Sequence, residues 1–328
     1  MSTSRSVEGA ALMPVLKVAF SKVTYPTGNK AFSVMQAFPA AISEAEADPF
    51  LMCDHFGPTK SKGVAAHADA FDVPWHPHRG MDIATYLISG VGRHADSLGN
   101  RETFETPGLQ FCSVGSGIEH AEGGGTPVGD VMEGFQLWVN VPSERKMDAP
   151  RYGTVGPDRI PVMDVSANGA TARLVSGDLD GSRGPFETVQ PLLIIDVSLP
   201  AGADASVSIA ANLDNAMVYA RSGAVNVNGR KIETHGVALL DAKAADGGRV
   251  IHLRADGGAG AGAIIFCGRR LNQPIAWHGP FVMTTDEEIR ATIAEFQGGA
   301  WPPVRAAWDY KKIAAFPADH PAIINRTK

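Results

Sequence analysis

Residues 75–90, WHPHRGMDIATYLISG, place two histidines either side of a proline and then run into an apolar strand. Pro77 lacks a backbone N–H and pushes the residue before it into extended geometry. In an extended strand, residues i and i+2 point to the same face. His76 and His78 therefore present two imidazoles side by side on a stiff segment. That is half of a metal site.

The strand pattern continues on both sides of this stretch. From Lys17 to Val141, short apolar runs alternate with turn signals: TYLISG, LQFCSVG and GFQLWVNV read as strands, and DSLGNR as a hairpin turn. Strands at roughly ten-residue spacing suggest a sandwich or barrel. A stretch richer in Pro, Gly and Asp follows from 143 to 185. Beyond it comes a second strand-rich block with PLLIIDVSLP, AMVYARSG, VNVNG, GVALLD and GAIIFCG. IATYLISGVGRHADSLGNRETFETPG in the first block matches AMVYARSGAVNVNGRKIETHG in the second. Each has a tyrosine strand, a Ser-Gly pair (Ser89-Gly90, Ser222-Gly223), a hairpin and a glycine turn (Gly108, Gly236). The expected fold class is all-β, with two copies of one β-barrel. The clearest helix is TTDEEIRATIAEF, where Thr285 and Glu288 form a capping-box pattern and Ile289, Ile293 and Phe296 share a face. Gly298 and Gly299 stop it, and an extended tail follows to Lys328.

Six of the ten histidines fall between residues 55 and 120, which confines the search for further ligands to the first block. There SGIEHAEGGG supplies a second pair, His120 and Glu122, again at i and i+2. Two such pairs on two strands of one barrel converge on an interior point and give three imidazoles and one carboxylate. His55, His67 and His94 are left as surface residues or as groups outside the ligand set. A donor set without thiolate fits Fe(II), Mn(II), Ni(II), Co(II) or Zn(II). Four ligands around an octahedral ion leave two positions open, so the site is expected to be chemical as well as structural.

The bulk composition excludes several classes. A net charge of −6 and a pI near 5.9 argue against direct nucleic-acid binding, which needs a basic face. Cys53, Cys112 and Cys267 are odd in number and form no CxxC pair, so they read as reduced, buried cysteines of a cytoplasmic protein. MSTSRSVEGAALMPVLKVAF lacks the pattern of a secretory signal, and no run approaches the ~18 apolar residues that span a bilayer. GGAGAGA at 257–263 leads into a strand rather than a helix, so it builds no phosphate site. VGSGIE lacks the spacing of a nucleophile elbow, which leaves Ser116 as a turn residue.

DPFLMCDHFG, HPHRGMDIATYLISG, DSLGNRETFETPG, GSGIEHAE, GFQLWVNVPSERKMDAPRY and GPFVMTTDEEI together resemble the pirin family of bicupins. The resemblance runs through nearly the whole chain. It implies an N-terminal metal-binding cupin barrel over 15–150, a connecting region over 151–185, a C-terminal cupin barrel without metal over 186–275, and a helix and tail over 276–328. It further implies one divalent ion per chain, usually iron, on His76, His78, His120 and Glu122. The activity implied is that of a quercetin 2,3-dioxygenase acting on an aromatic small molecule and O2; on that reading Glu122 is positioned to take the proton of the substrate hydroxyl as catalytic base. The alternative is a metal- and redox-sensing regulator that acts through a protein partner. A monomer is expected. Two residues depart from the family's pattern: Asp82 and Gln273 stand where glutamate is usual. In the second barrel, aligning Tyr219 with Tyr86 puts Ile209 and Ala211 at the positions of His76 and His78. Aligning Gly236 with Gly108 puts Gly248 opposite His120.

Overall fold

The computed structural model describes residues 11–26, 28, 33–60, 73–125, 131–243, 249–256 and 258–311. They divide into two compact units. One takes the described residues of 56–157 and from Asn272 onward; the other takes those up to His55 together with Asp158–Leu271.

The first of these units contains β1 (Val73–His78), β2 (Met81–Ser89), β3 (Val91–Asp96), β4 (Arg101–Phe104), β5 (Gly108–Ser113), β6 (Ile118–Gly125), β7 (Val131–Asn140) and β8 (Arg151–Val155). One sheet has the order β1-β6-β3-β4, and another contains β8-β5-β2-β7, all antiparallel. The DSLGNR turn joins β3 to β4, and Gly99 within it has φ +98°, a conformation that suits glycine. Cross-strand register decides what faces inward. Thr85 pairs with Gln110 and Gln136, Ile83 with Cys112 and Trp138, and Cys112 with Tyr152, so these side chains share a face. In the other sheet His120 pairs with His76 and Asp96, and Glu122 with His94. The two faces meet, since Thr85 and Gln136 both hydrogen-bond Glu122. The interior is therefore polar. The opposite face of β2 and β7 carries Ala84, Tyr86, Phe135, Leu137 and Val139, all buried. Each large apolar side chain there contributes roughly 1.5–3 kcal/mol by leaving water.

The other unit repeats this topology on β9 (Thr171–Ser176), β10 (Leu192–Leu199), β11 (Asp204–Ser208), β12 (Asn215–Ser222), β13 (Val225–Val227), β14 (Arg230–Ile232), β15 (Gly236–Leu240), β16 (Val250–Ala255) and β17 (Ala261–Gly268). Its small sheet runs β11-β16-β13-β14, matching β1-β6-β3-β4, and its large sheet contains β15-β12-β17, matching β5-β2-β7. Here the interior is apolar: Ala205, Val207, Val225, Val227, Ile251 and Leu253 form one cluster with Leu193, Ile195, Val218 and Ile265. The strand topologically equivalent to β1 is β11, so Ile209 and Ala211 lie just past the counterpart of the His76–His78 strand. Gly248 lies outside the described residues.

The compact units differ from the chain segments expected from sequence. The strand Val15–Phe20 pairs with β15, Val18 opposite Ala238 and Phe20 opposite Gly236, and so joins the second strand block rather than the first. The stretch 151–185 is not a plain connector either. It supplies β8 to one unit and β9 to the other.

After β17 the chain forms a hairpin, β18 (Ala276–His278) and β19 (Phe281–Met283), and then the helix Asp286–Gln297. Thr285 caps the helix in a complete capping box with Glu288. Ala276, Phe281, Met283, Ile289 and Trp301 pack as one cluster. Arg79, next to His78, is buried among them. Its Nη1 donates to Thr292 Oγ1, its Nε to the Ser116 carbonyl, and its guanidinium lies over Trp301. The helix is thereby tied to the strand pair that carries the histidines. Near the end of the described chain, Tyr310 and Lys311 both bond Glu119 on β6. The remainder of the expected tail, 312–328, lies outside the described residues. No helix among the described residues is long and apolar enough to cross a membrane.

Candidate metal centre

His76 and His78 lie on β1 and His120 directly opposite His76 on β6. The three rings sit with centroids 4.4–4.8 Å apart, and one nitrogen from each lies within 4.8 Å of the other two. Backbone carbonyls fix two of the tautomers. His76 Nδ1 donates to Pro74 O at 2.8 Å, and His78 Nδ1 to Pro280 O at 3.2 Å, in the C-terminal hairpin. Each ring is left with its lone pair on Nε2, and that of His76 faces His120 Nε2. A second bond that orients a ligating imidazole in this way is a regular feature of metal sites.

The donor set fits a metal ion. His76 Nε2 and His120 Nε2 are 2.9 Å apart. Two nitrogens at right angles around an ion ~2.1 Å from each stand about 3.0 Å apart. Burial pushes the pKa of His78 and of His120 well below the ordinary imidazole value. The neighbouring His76 ring adds to the effect in both, and His78 and His94 add to it at His120. Neutral rings keep their lone pairs for a cation.

Glu122 stands to one side of this cluster. Its Oε1 is 4.0 Å from His120 Nδ1, and it accepts hydrogen bonds from Thr85 Oγ1 and Gln136 Nε2, each at 3.3 Å. The β1–β6 register slips between His120 and Glu122, with Glu122 opposite Val73. On β6 itself the two residues still share a face, as the regular pairing with β3 shows.

Sequence reasoning left His55 and His94 outside the site, and for both a surface position is corrected. His55 is buried in the other unit, its Nδ1 3.0 Å from the Tyr219 hydroxyl. His94 is wholly buried beside His120, bonded to Asp96 and stacked on Tyr152. Its spacing from Asp96 repeats the i, i+2 pattern of the other two pairs, a signal that RHAD already carried. His67 lies outside the described residues. All three cysteines are free and buried. Asp82, buried on β2, alternates with Ile83 and so faces away from the histidines. Gln273 accepts a hydrogen bond from the Ser143 backbone. Neither departure touches the cluster.

A family model described as Pirin matches residues 31–139, and one described as the pirin C-terminal cupin domain matches 194–302. A pirin-like protein of Caulobacter vibrioides is 33% identical over 290 residues, covering 87% of this chain and 98% of that protein. Human pirin is 32% identical over 256 residues, 76% of this chain and 81% of its own. A crystal structure of quercetin 2,3-dioxygenase from Acinetobacter baumannii superposes with a TM-score of 0.80 at 28% identity, covering 89% of this chain and 99% of that one. Repeated strand order, one polar and one apolar interior, and these matches lead to one assignment: the chain belongs to the pirin family and has its bicupin fold.

Proposed function

We propose that the chain is a metal-dependent dioxygenase that cleaves a flavonol such as quercetin with O2. It would hold one divalent ion, Fe(II) in first place, among His76, His78, His120 and Glu122. The observation that carries this reading is the convergence of three imidazole nitrogens within 4.8 Å inside a polar barrel. Likeness to a quercetin 2,3-dioxygenase structure over most of both chains supports the substrate class. A bound ion would supply the Lewis-acid and redox chemistry that brings an enolised phenol and O2 together.

The protein's own groups have separable parts in this scheme. Pro74 and Pro280 carbonyls hold two of the imidazoles in the ligating tautomer. Glu122 takes the proton of the substrate hydroxyl. Its side chain keeps 16% of its surface exposed, and its two hydrogen bonds are long. Thr85 has a single proton, and its shorter bond of 2.6 Å goes to Gln136 Oε1. That leaves Gln136 Nε2 as the steady donor to Glu122. Trp138 makes a T-shaped contact with His78 at 5.0 Å, and Trp277 lies 5.8 Å from Trp138. Aromatic faces beside the ligands suit a flat polyphenol.

The test is to load the protein with Fe(II) without oxygen, then supply quercetin and O2 and follow both. Loss of quercetin matched by O2 uptake, in proportion to bound iron, is expected. Iron-loaded protein that consumes neither would overturn the proposal.

A further inference from the structure

Behind the three-imidazole cluster lies a second set of donors that shares His120 with it and adds two groups, His94 and Cys112, that the proposed reaction does not use. His94 on β3, Cys112 on β5 and His120 on β6 each offer one ligand atom, and the three atoms lie within 4.8 Å of one another. All three residues are buried, and they come from both sheets of the barrel. A cluster of this kind differs in character from the first. It contains a sulfur, and its geometry is fixed by a separate group of residues.

That group determines which atom His94 can offer. His94 Nε2 lies 3.0 Å from Asp96 Oδ2. Asp96 is a committed acceptor: Leu98 N and Asn100 N donate to its Oδ1, and Asn100 Nδ2 to its Oδ2. A carboxylate held in this way takes the proton of His94 Nε2 and leaves the lone pair on Nδ1. The ring cannot swing away, because Tyr152 stacks on it at 4.3 Å and 15°. Tyr152 is itself bonded through its hydroxyl to Glu102.

His94 Nδ1 is buried and has no hydrogen-bond partner, and the same is true of His120 Nδ1. Two orphaned ring nitrogens in one barrel interior are costly unless something satisfies them. Cys112 supplies the third donor. Its sulfur accepts a hydrogen bond from Gln110 Nε2 at 3.1 Å, which sets the thiol's orientation.

We propose that His94, Cys112 and His120 form a second cation site, selective for a soft ion of the Zn(II), Cd(II) or Cu(I) class and filled as an alternative to the first, since His120 offers Nδ1 here only with its proton on Nε2. One thiolate and two imidazoles match the ligand preference of such ions, whereas hard ions prefer carboxylate and water. A tetrahedral ion ~2.3 Å from sulfur and ~2.1 Å from nitrogen puts its ligand atoms about 3.3–3.6 Å apart. The three ligand atoms, within 4.8 Å of one another, draw together to that range when the ion binds. Binding forms a metal–sulfur bond and releases the thiol proton to solvent. The carboxylate behind the histidine is the arrangement that raises an imidazole's affinity for a metal. The site stands or falls independently of whether quercetin is the substrate.

The test uses Cd(II) as the probe and thiolate-to-metal charge-transfer absorption as the readout, on the full chain freed of metal. The parent protein should develop the band with one Cd(II)–thiolate per chain. A Cys53→Ala/Cys267→Ala variant should behave in the same way, because those thiols lie in the other unit. Cys112→Ala should abolish the band. His94→Ala keeps the thiol but should weaken the band-forming affinity at least tenfold. Circular dichroism reports whether each variant is folded, and if Cys112→Ala is not, the His94→Ala affinity decides. A parent without the band in excess Cd(II), a folded Cys112→Ala variant that keeps it, or a His94→Ala affinity within twofold of the parent's would each overturn the proposal.

Discussion

His76 and His120 face each other across the β1–β6 pair with their Nε2 atoms 2.9 Å apart. Two lone pairs at that distance repel unless a proton or a cation lies between them, so the pair is poised to bind. Removing one member should cost on the order of a hundredfold or more in metal affinity. The fold should survive, because Tyr86, Phe135, Leu137 and Val139 are buried on the opposite face of the sheet that carries them. His120→Ala is therefore expected to bind little iron while keeping its β-sheet circular dichroism. An unfolded variant would assign the histidine a structural role.

The two barrels share a strand order but not an interior. Where β1, β6 and β3 turn His76, His120 and His94 inward, β11, β16 and β13 bury Ala205, Val207, Ile251, Leu253, Val225 and Val227. Apolar side chains offer no lone pairs. Protein loaded with excess Fe(II) and then desalted should hold one iron per chain, all of it lost in a His76→Ala/His120→Ala variant. Elemental analysis finding two tightly held irons would contradict this.

Lys146 gives the protein a distinct pH dependence. Its ammonium is buried and donates to Gly80 O, Val282 O and Asn140 Oδ1. Burial pushes its pKa down to about 8, against the opposing attraction of Glu288 and Asp82. An unfolded lysine titrates near 10.4. Between those values the unfolded chain binds more protons, so stability rises with pH. At neutral pH the full penalty of the buried charge is present. Relative to Lys146→Met, the parent should gain on the order of 2 kcal/mol between pH 7 and pH 9.5. Urea denaturation of both proteins at the two pH values measures the difference, and parallel changes would refute the assignment.

The ligand strands were legible because their signal is local. HPH and HAE each fix a face by alternation alone, and the register then sets His120 opposite His76. The C-terminal helix was legible for the same reason, through the capping box at Thr285 and Glu288. His94 was not. Its place beside the DSLGNR turn suggested the surface, but β3 runs on to Asp96 before turning, and that puts His94 inside, opposite Glu122. The pairing of Val15–Phe20 with β15 was equally invisible, since it depends on a partner some two hundred residues away. The support of His78 by Pro280 is likewise a contact between distant segments.

Glu122 tests whether binding and chemistry can be separated. Its carboxylate sits at the edge of the imidazole cluster, 4.0 Å from His120 Nδ1, rather than within it. Three imidazoles then carry most of the affinity, and the carboxylate is free to accept a proton. Glu122→Gln keeps the size and one carbonyl oxygen but removes the charge and the basicity. The variant should retain most of its iron and lose quercetin cleavage per bound iron by about two to four orders of magnitude. Normalising to measured iron rather than to protein is what separates the two roles. If Glu122 were only a ligand, iron content would fall while the rate per iron stayed within a few-fold of the parent. That outcome would make the carboxylate a ligand only and leave the proton acceptor to be sought among other groups at the site.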